Sequence, residues 1–171
     1  MWPRSRPALH TVAMSEPPLT PTIAFVKSPA WQFAEPSMVE AFAELTSELG
    51  DLCDEVELPS IFDRSLEWQG VIQNAEMAKN YAALAEQHAD ALSAGLKSRL
   101  AEGRAFSAVE YSMALEFRDI LNDGISEIFQ RYDVILTPAS CGPAPKGLET
   151  SGNPIFNAMW TYLGTPAVTL P

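Results

Sequence analysis

The segment TIAFVKSPAWQFAEPSMVEAFAELTSELGDLCDEVELP, residues 22–59, contains the pattern that decides the fold. It begins with a short β-branched run at 22–26 and ends with residues 53–59, where apolar and acidic side chains alternate, and both runs are typical of strands. Between them, apolar residues recur at helical spacing up to Leu49, with Pro36 at the start and Gly50 as the stop. A strand, a helix and a strand in this order predict a right-handed βαβ crossover with parallel strands.

Helical patterns follow this unit. One long helix is predicted from Asp63 to about Ala91, on a stripe of Trp68, Ile72 and regularly spaced alanines, and a shorter helix over residues 93–103, ended by Gly103. Ser107 and Glu110 then form a capping-box pattern that begins another long helix. Its apolar stripe, which we expect to pack on a sheet, consists of Tyr111, Ala114, Phe117, Leu121, Ile125 and Ile128.

The last part of the chain returns to strand-like runs. VILTP, residues 134–138, predicts a third strand, which a proline-rich loop at about 139–154 separates from a short helix at 155–164. PAVTLP, residues 166–171, is a further strand-like run. The pattern predicts the α/β class, with a mixed sheet of a few mainly parallel strands and long flanking helices over residues 22–171. Residues 1–21 hold five prolines and are predicted to be a poorly ordered linker.

Composition excludes several classes of protein. Hydrophobic residues make up 47% of the 171 residues and charged residues 19%, as in a globular domain with a core. Eleven Lys and Arg against 22 Asp and Glu give a net charge of −11, which argues against nucleic acid as a partner. No run is long enough to predict a membrane span or a secretory signal, so we expect a cytoplasmic protein whose two cysteines are reduced.

The search for catalytic groups begins with Ser140 and Cys141, which follow the third strand. Neither has a histidine, a lysine or a helix start nearby in sequence to activate it, so a structural loop is favoured over a nucleophile. Lys27 follows the first strand, but a solvated ammonium group explains it more simply than a neutral base. His10 and His88 lie far from other ligand types, and no nucleotide-binding motif occurs. The sequence therefore predicts no catalytic residue, no metal site and no cofactor in this chain.

A family resemblance rests on the last 41 residues. This stretch is RYDVILTPASCGPAPKGLETSGNPIFNAMWTYLGTPAVTLP, residues 131–171. It resembles the C-terminal part of the amidase signature family. The features that match, in order, are a Tyr-Asp strand, Thr-Pro, Pro-Ala-Pro, Phe-Asn, Trp-Thr and a closing Leu-Pro. The strand, helix and strand that follow the catalytic core of that family also have counterparts in this chain. The similar segments are TIAFVKSPAW, AEPSMVEAFAELTSELG and EVELP. The likeness thus extends from about residue 22 to residue 171.

The resemblance implies a partial amidase-type α/β/α sandwich, truncated at both ends. Family members hydrolyse or transfer small-molecule amides with two serines and a lysine, and with backbone amides of a Gly/Ser-rich stretch that hold the oxyanion. This chain has no Gly-Gly or Ser-Ser pair, so we expect it to lack that machinery and to be inactive alone. The resemblance suggests Asn157, Trp160 and Thr161 as substrate-pocket residues, with core packing of Trp160 as an equal alternative.

Two other readings stay open. The chain could be a non-catalytic binding or interaction module derived from the amidase fold, whose apolar edges a partner or a second copy in a homodimer would cover. It could also be a hydrolase that uses Cys141 or Lys27, although the sequence shows no site for one.

Overall fold

A three-stranded parallel sheet organises the computed structural model, which describes residues 20–169. The strands are β1 at Ile23–Val26, β2 at Cys53–Val56 and β3 at Val134–Leu136. Their order is β2-β1-β3, with Ile23 paired to Cys53 on one side and to Val134 on the other. The predicted βαβ crossover is confirmed. All three described strands are parallel, and β1 is the central one, so the VILTP strand lies at an edge of the described sheet.

One face of the sheet is covered by α1, Pro36–Leu49, which begins with a proline and ends at Gly50 with a positive φ of 51°. The Phe25 ring of β1 stacks on Phe42 of α1 with centroids 5.5 Å apart, and Trp31 meets Phe25 edge-on at 5.6 Å. Trp31 lies in a one-turn 3-10 helix, Pro29–Phe33, that joins β1 to α1. These aromatic contacts fix α1 to the sheet.

The opposite face carries the main core. Five helices follow β2, and they are α2 at Ser65–Asn80, α3 at Ala82–Gln87, α4 at Ala94–Ala105, α5 at Ala108–Phe129 and α6 at Ile155–Leu163. Ala24 and Val26 of β1 join a buried cluster with Trp68, Leu121 and Met159 from three of these helices. Helices on both faces of a parallel sheet make an α/β/α arrangement, as the family resemblance implied.

The helix predicted over 63–91 is instead divided between α2 and α3. Tyr81 leaves helical geometry, with φ −98° and ψ 7°, although its N–H still bonds to the Met77 carbonyl. Asn80 and Tyr81 have weaker helix propensities than the alanines around them, which explains the position of the break. α3 then ends at Gln87, short of the predicted end.

Gly103 does not end a helix, contrary to the sequence prediction. α4 continues to Ala105, and Gly103 lies against the backbone of α2, where an added Cβ would be 1.9 Å from the Asn74 carbonyl oxygen. The glycine allows the two helices to approach closely. The buried side of α2 accordingly includes Val71 and Asn74 as well as the predicted Trp68 and Ala78.

The capping box at the start of α5 is confirmed. The Glu110 N–H donates to the Ser107 hydroxyl at 3.1 Å, and the Ser107 N–H donates to the Glu110 carboxylate at 2.7 Å. α5 buries Leu121 and three other residues of its predicted stripe, and it packs against α2 and α6. The same stripe shares one buried cluster with Ala24 and Val26 of β1, so it also faces the sheet.

The end of the chain also differs from prediction. Residues 165–169 form no regular secondary structure, and Val168 is exposed. Pro166 has no N–H for a ladder, and no described strand lies beside this run to pair with it. Residues 1–19 and 170–171, which include most of the predicted linker, lie outside the described residues.

Candidate functional site

The carboxyl end of β3 leads into the loop that the sequence singled out. Pro138 is fully buried just after the strand, and residues 139–154 connect it to α6. α6 packs against α2 and against the 29–33 turn that follows β1. The loop and α6 therefore lie at the edge of the sheet where parallel strands end, the place where α/β folds bind ligands.

Ser140 and Cys141 are held by the backbone of their own loop. The Ser140 hydroxyl donates to the Gly142 carbonyl at 2.8 Å, and the Cys141 thiol lies 3.9 Å from the Asn153 carbonyl oxygen. The Cys141 carbonyl accepts a hydrogen bond from the Glu35 N–H at the start of α1, at 2.7 Å. Within residues 20–169, no side chain is hydrogen-bonded to either group as a general base, so neither has the partner that an activated nucleophile needs.

The second cysteine is equally unsuited to nucleophilic chemistry. Cys53 and Cys141 are both free thiols. Burial raises the pKa of Cys53, so its thiol is protonated at neutral pH. Cys53 lies on β2, away from the loop after β3.

Lys27 is a paired cation. Its ammonium group forms an ion pair with Glu55 of β2 and lies 5.7 Å from the Phe25 ring centre and 5.4 Å from that of Trp31. A carboxylate and two aromatic rings thus hold the Lys27 side chain in place. The arrangement favours a structural role over that of a neutral base.

The structure separates the three predicted pocket residues. Asn157 and Thr161 are exposed one turn apart on α6, whereas Trp160 is only 8% exposed and belongs to the core cluster. The Asn157 side-chain amide donates to the Ala139 carbonyl at 3.1 Å, which ties the helix to the loop. Trp160 thus takes the core position that the sequence offered as the alternative.

Buried polar atoms give a further signal at this site. Among residues 20–169, three buried side-chain atoms have no hydrogen-bond partner, and they are Ser65 Oγ, Thr137 Oγ1 and Trp160 Nε1. A buried donor without a partner costs about 1–3 kcal/mol, so such groups are candidates for contact with a bound molecule. Thr137 follows β3 and Trp160 lies on α6, the two sides of the candidate site. The sequence analysis did not identify Ser65 as a buried polar residue. Serine is common at the start of a helix, and the local pattern does not show that this one is buried.

The described residues contain no group of three or more His, Cys, Asp or Glu side chains that could hold a metal. His88 is exposed, and His10 lies outside the described residues. A cavity of about 200 Å³ between α3 and α4, lined by Leu100, Lys97 and Arg104 among others, is formed by different elements from those of the loop. None of the helices in residues 20–169 is long and apolar enough to cross a membrane.

Comparison with known proteins supports the fold. The chain matches a crystal structure of an amidase with a TM-score of 0.70 and 19% identity, over 85% of this chain and 37% of the amidase. The chain has part of an amidase-like fold.

A second match has a TM-score of 0.69 and 18% identity. The matched structure is an inhibitor-bound vestigial protein complex, described as revealing the evolutionary origins of an s-triazine catabolic enzyme. It covers 84% of this chain and 34% of the other. No family model and no curated protein matches. The chain spans little more than a third of the length of these structures, and identities this low show a shared fold.

Proposed function

We propose that this chain is a segment of an amidase of the Ser-Ser-Lys type, which hydrolyses carbon-nitrogen bonds of small-molecule amides. The observation that supports this most is the amidase-like fold. It is shared with an amidase over 85% of this chain, and the matched part makes up 37% of that amidase. In this proposal the catalytic serines and lysine belong to polypeptide outside these residues. The chain is then a cytoplasmic protein segment that is inactive alone, and its two free thiols agree with that location.

The proposed role of the segment is to form one wall of the acyl pocket. Asn157 and Thr161 present polar groups from α6 beside the loop, and the partnerless Trp160 indole N–H and Thr137 hydroxyl lie on the elements that meet there. The hydrogen bond from Asn157 to the Ala139 carbonyl holds loop and helix together. A rigid wall with a few polar groups is what a small-molecule pocket requires.

Inactivity of the isolated chain is the first test. The purified chain is incubated with an aryl amide and release of the aryl amine is measured. We expect no hydrolysis above the buffer rate, because Ser140, Cys141 and Lys27 all have structural partners. Hydrolysis that is abolished in Cys141→Ala or in Lys27→Ala would refute the proposal and assign the activity to this chain itself.

The adjoining coding sequence is the second test. We expect the upstream reading frame to encode a lysine in an apolar strand followed by a Gly/Ser-rich segment, and the extended protein to hydrolyse the aryl amide. In that protein Asn157→Ala should raise KM more than it lowers kcat, because the residue is placed at the pocket wall rather than at the reacting atoms. An in-frame stop codon directly upstream of Met1 would contradict the amidase assignment.

A non-catalytic interaction module is the second candidate function. It is favoured by one observation, the half-exposed Val134 on a sheet whose described edges, β2 and β3, have no further strand beside them. Open edges and apolar strand residues are normally covered by other polypeptide, which here could be a second copy in a homodimer. Light scattering on the purified chain distinguishes a homodimer from a monomer.

A further inference from the structure

The cavity between α3 and α4 is formed by one firmly packed helix and one loosely packed helix. Leu100 and Gly103 of α4 are buried, and α4 packs against α2. α3 buries no residue, and a one-turn 3-10 helix, Ala89–Ala91, follows it. A space of about 200 Å³ remains between α3, this turn and α4.

The walls of the cavity are mostly apolar. Ala85, Ala89 and Leu92 line one side, and Leu100 and Ala101 of α4 line the other. The alanines leave the space open, because larger side chains in their place would fill it. Water gains few hydrogen bonds from such walls, whereas an apolar group is stabilised by leaving water to contact them.

Two cations border these apolar walls. Lys97 and Arg104 line the cavity from α4, and neither forms an ion pair with a described residue. They are about two helical turns apart, so they lie on the same side of α4 with their Cα atoms about 10 Å from each other. Leu100 and Ala101 lie between them on that side. The cavity therefore has a positive residue near each end of an apolar stretch.

The charge of the cavity is opposite to that of the chain as a whole. The net charge is −11, so the protein repels small anions in general. Among the described residues that line the cavity there is no Asp or Glu. An anion attracted to this chain would thus be attracted locally, at Lys97 and Arg104.

We infer that the cavity binds a linear dicarboxylate, a small molecule with a carboxylate at each end of an apolar chain. One carboxylate would pair with Lys97 and the other with Arg104, while the chain would lie along Leu100 and Ala101. A helix with its side chains is about 10–12 Å across. A space of about 200 Å³ therefore cannot contain a helix of other polypeptide, whereas it can contain a small molecule.

The inference does not depend on amide chemistry. The cavity is formed by different elements from those of the loop after β3, and none of its lining residues belongs to the proposed acyl pocket. Failure of the hydrolysis tests leaves the inference standing, and failure of the binding test below leaves the amidase proposal standing.

The test titrates the isotope-labelled full chain with octanedioate and follows the amide signals by NMR. We expect saturable shifts in residues 85–104. Octanedioate should bind at least threefold more tightly than octanoate, because octanoate lacks the second carboxylate and so loses one ion pair at an exposed cation. It should also bind at least threefold more tightly than butanedioate, which has both charges but less apolar surface to bury.

Variants of α4 test the two cations. Lys97→Gln and Arg104→Gln should each weaken octanedioate binding at least threefold, since each removes one ion pair. Arg99→Gln is the matched control, because Arg99 is exposed on the same helix and does not line the cavity, and it should change the affinity less than twofold.

Variants of α3 test the cavity itself. Ala85→Leu should fill the space and abolish binding, whereas Ala83→Leu, at an exposed position of α3 that does not line the cavity, should leave binding unchanged. Circular dichroism confirms that each variant is folded, and the α4 variants decide the matter if Ala85→Leu is not.

Four outcomes would overturn the inference. Equal affinities for octanedioate and octanoate would show that the second cation takes no part. Equal weakening by Arg99→Gln and Arg104→Gln would show general charge attraction. Shifts confined to residues outside 85–104 would place the binding elsewhere. Binding by this chain but not by the extended protein would show that side chains of the added polypeptide occupy the cavity.

Discussion

Gly103 shows how one missing side chain can set the distance between two helices. An added Cβ at this position meets the Asn74 carbonyl oxygen at 1.9 Å and the carbonyl carbon at 2.4 Å, both of them backbone atoms of α2. Backbone atoms cannot move aside as the end of a flexible side chain can, so α4 itself would have to shift. At Gly95, in the same helix, no atom lies within 4 Å of the added Cβ.

Gly103→Ala should therefore lower the free energy of unfolding by about 3 kcal/mol, the upper end of the range for overpacked cores. Gly95→Ala is the matched control and should be neutral or stabilising by up to about 1 kcal/mol, because alanine favours the helix. Urea denaturation of both variants checks the pair. Equal stability of the two variants would mean that α2 and α4 are not in close contact.

Tyr162 links α6 to α5 through a buried hydrogen bond. Its hydroxyl donates to the Ala114 carbonyl, and burial raises the pKa of Tyr162 to about 12. The folded-state pKa thus lies above the ordinary value of 10.0. The corresponding stability is fully present below pH 10 and is lost as the pH rises through the folded-state pKa, since ionisation is easier in the unfolded chain.

Tyr162→Phe should cost about 1 kcal/mol near neutral pH, the net value of one hydrogen bond. Between pH 10 and 12 the wild type should lose more stability than the variant, so the difference between them should shrink. Urea denaturation at several pH values measures both effects. A constant difference across the alkaline range would contradict the buried position of the hydroxyl.

At the scale of elements, the helix starts are specified by local chemistry. Ser93 caps α4 by accepting a hydrogen bond from the Leu96 N–H at 3.2 Å, and Ser107 caps α5 within a reciprocal capping box. Hydrogen bonds from the Ser107 backbone and hydroxyl lower the pKa of Glu110. Because this pKa is depressed, the stability contributed by the carboxylate is present above the unfolded-state pKa and is lost as the pH falls through the folded-state pKa.

Ser107→Ala should destabilise the protein by about 1 kcal/mol, the typical cost of removing an N-cap. Ser112→Ala, an exposed position inside the same helix, is the control and should be neutral or slightly stabilising. Thermal unfolding followed by circular dichroism compares the two. In Glu110→Gln, the acid-dependent part of the stability that this carboxylate provides should disappear.

At the scale of the whole molecule, one cluster joins the sheet to the helical layer. Ala24 and Val26 of β1 pack with α2, α5 and α6 in a single core, and the stacked rings of Trp68 and Phe117, 4.0 Å apart, lie across α2 and α5. Leu121 is 0% exposed in this core, whereas the adjacent Ile120 is 51% exposed. The two positions differ by one residue in sequence and completely in environment.

Leu121→Ala should reduce the free energy of unfolding by about 3–4 kcal/mol, as expected for a buried leucine with a cavity left behind. Ile120→Ala should change it by less than about 0.5 kcal/mol, since the side chain is already in contact with solvent. Urea denaturation of the pair is the measurement. A large loss in Ile120→Ala would show that another polypeptide, or a second copy, covers α5 in solution.

Several features of the fold could be predicted from the sequence because they depend on residues that are close together in the chain. These features are the strand runs at 22–26, 53–59 and 134–138, the Pro36 start and Gly50 end of α1, the Ser107 capping box and the Gly164 end of α6. They depend on residues a few positions apart, and they agree with the structure. The resemblance of residues 131–171 likewise pointed to the amidase-like fold that the structural matches support.

Only the tertiary structure decided which residues meet across the chain. Gly103 has the local signature of a helix end, yet contact with α2 makes it an interior residue, and Trp160 is drawn into the core although Asn157 and Thr161, on the same short helix, are exposed. The strand-like run after Pro166 stays irregular because a strand needs a partner, which local pattern cannot supply. Packing between distant segments depends on the free energy of the whole fold, so it cannot be predicted from any single segment of the sequence.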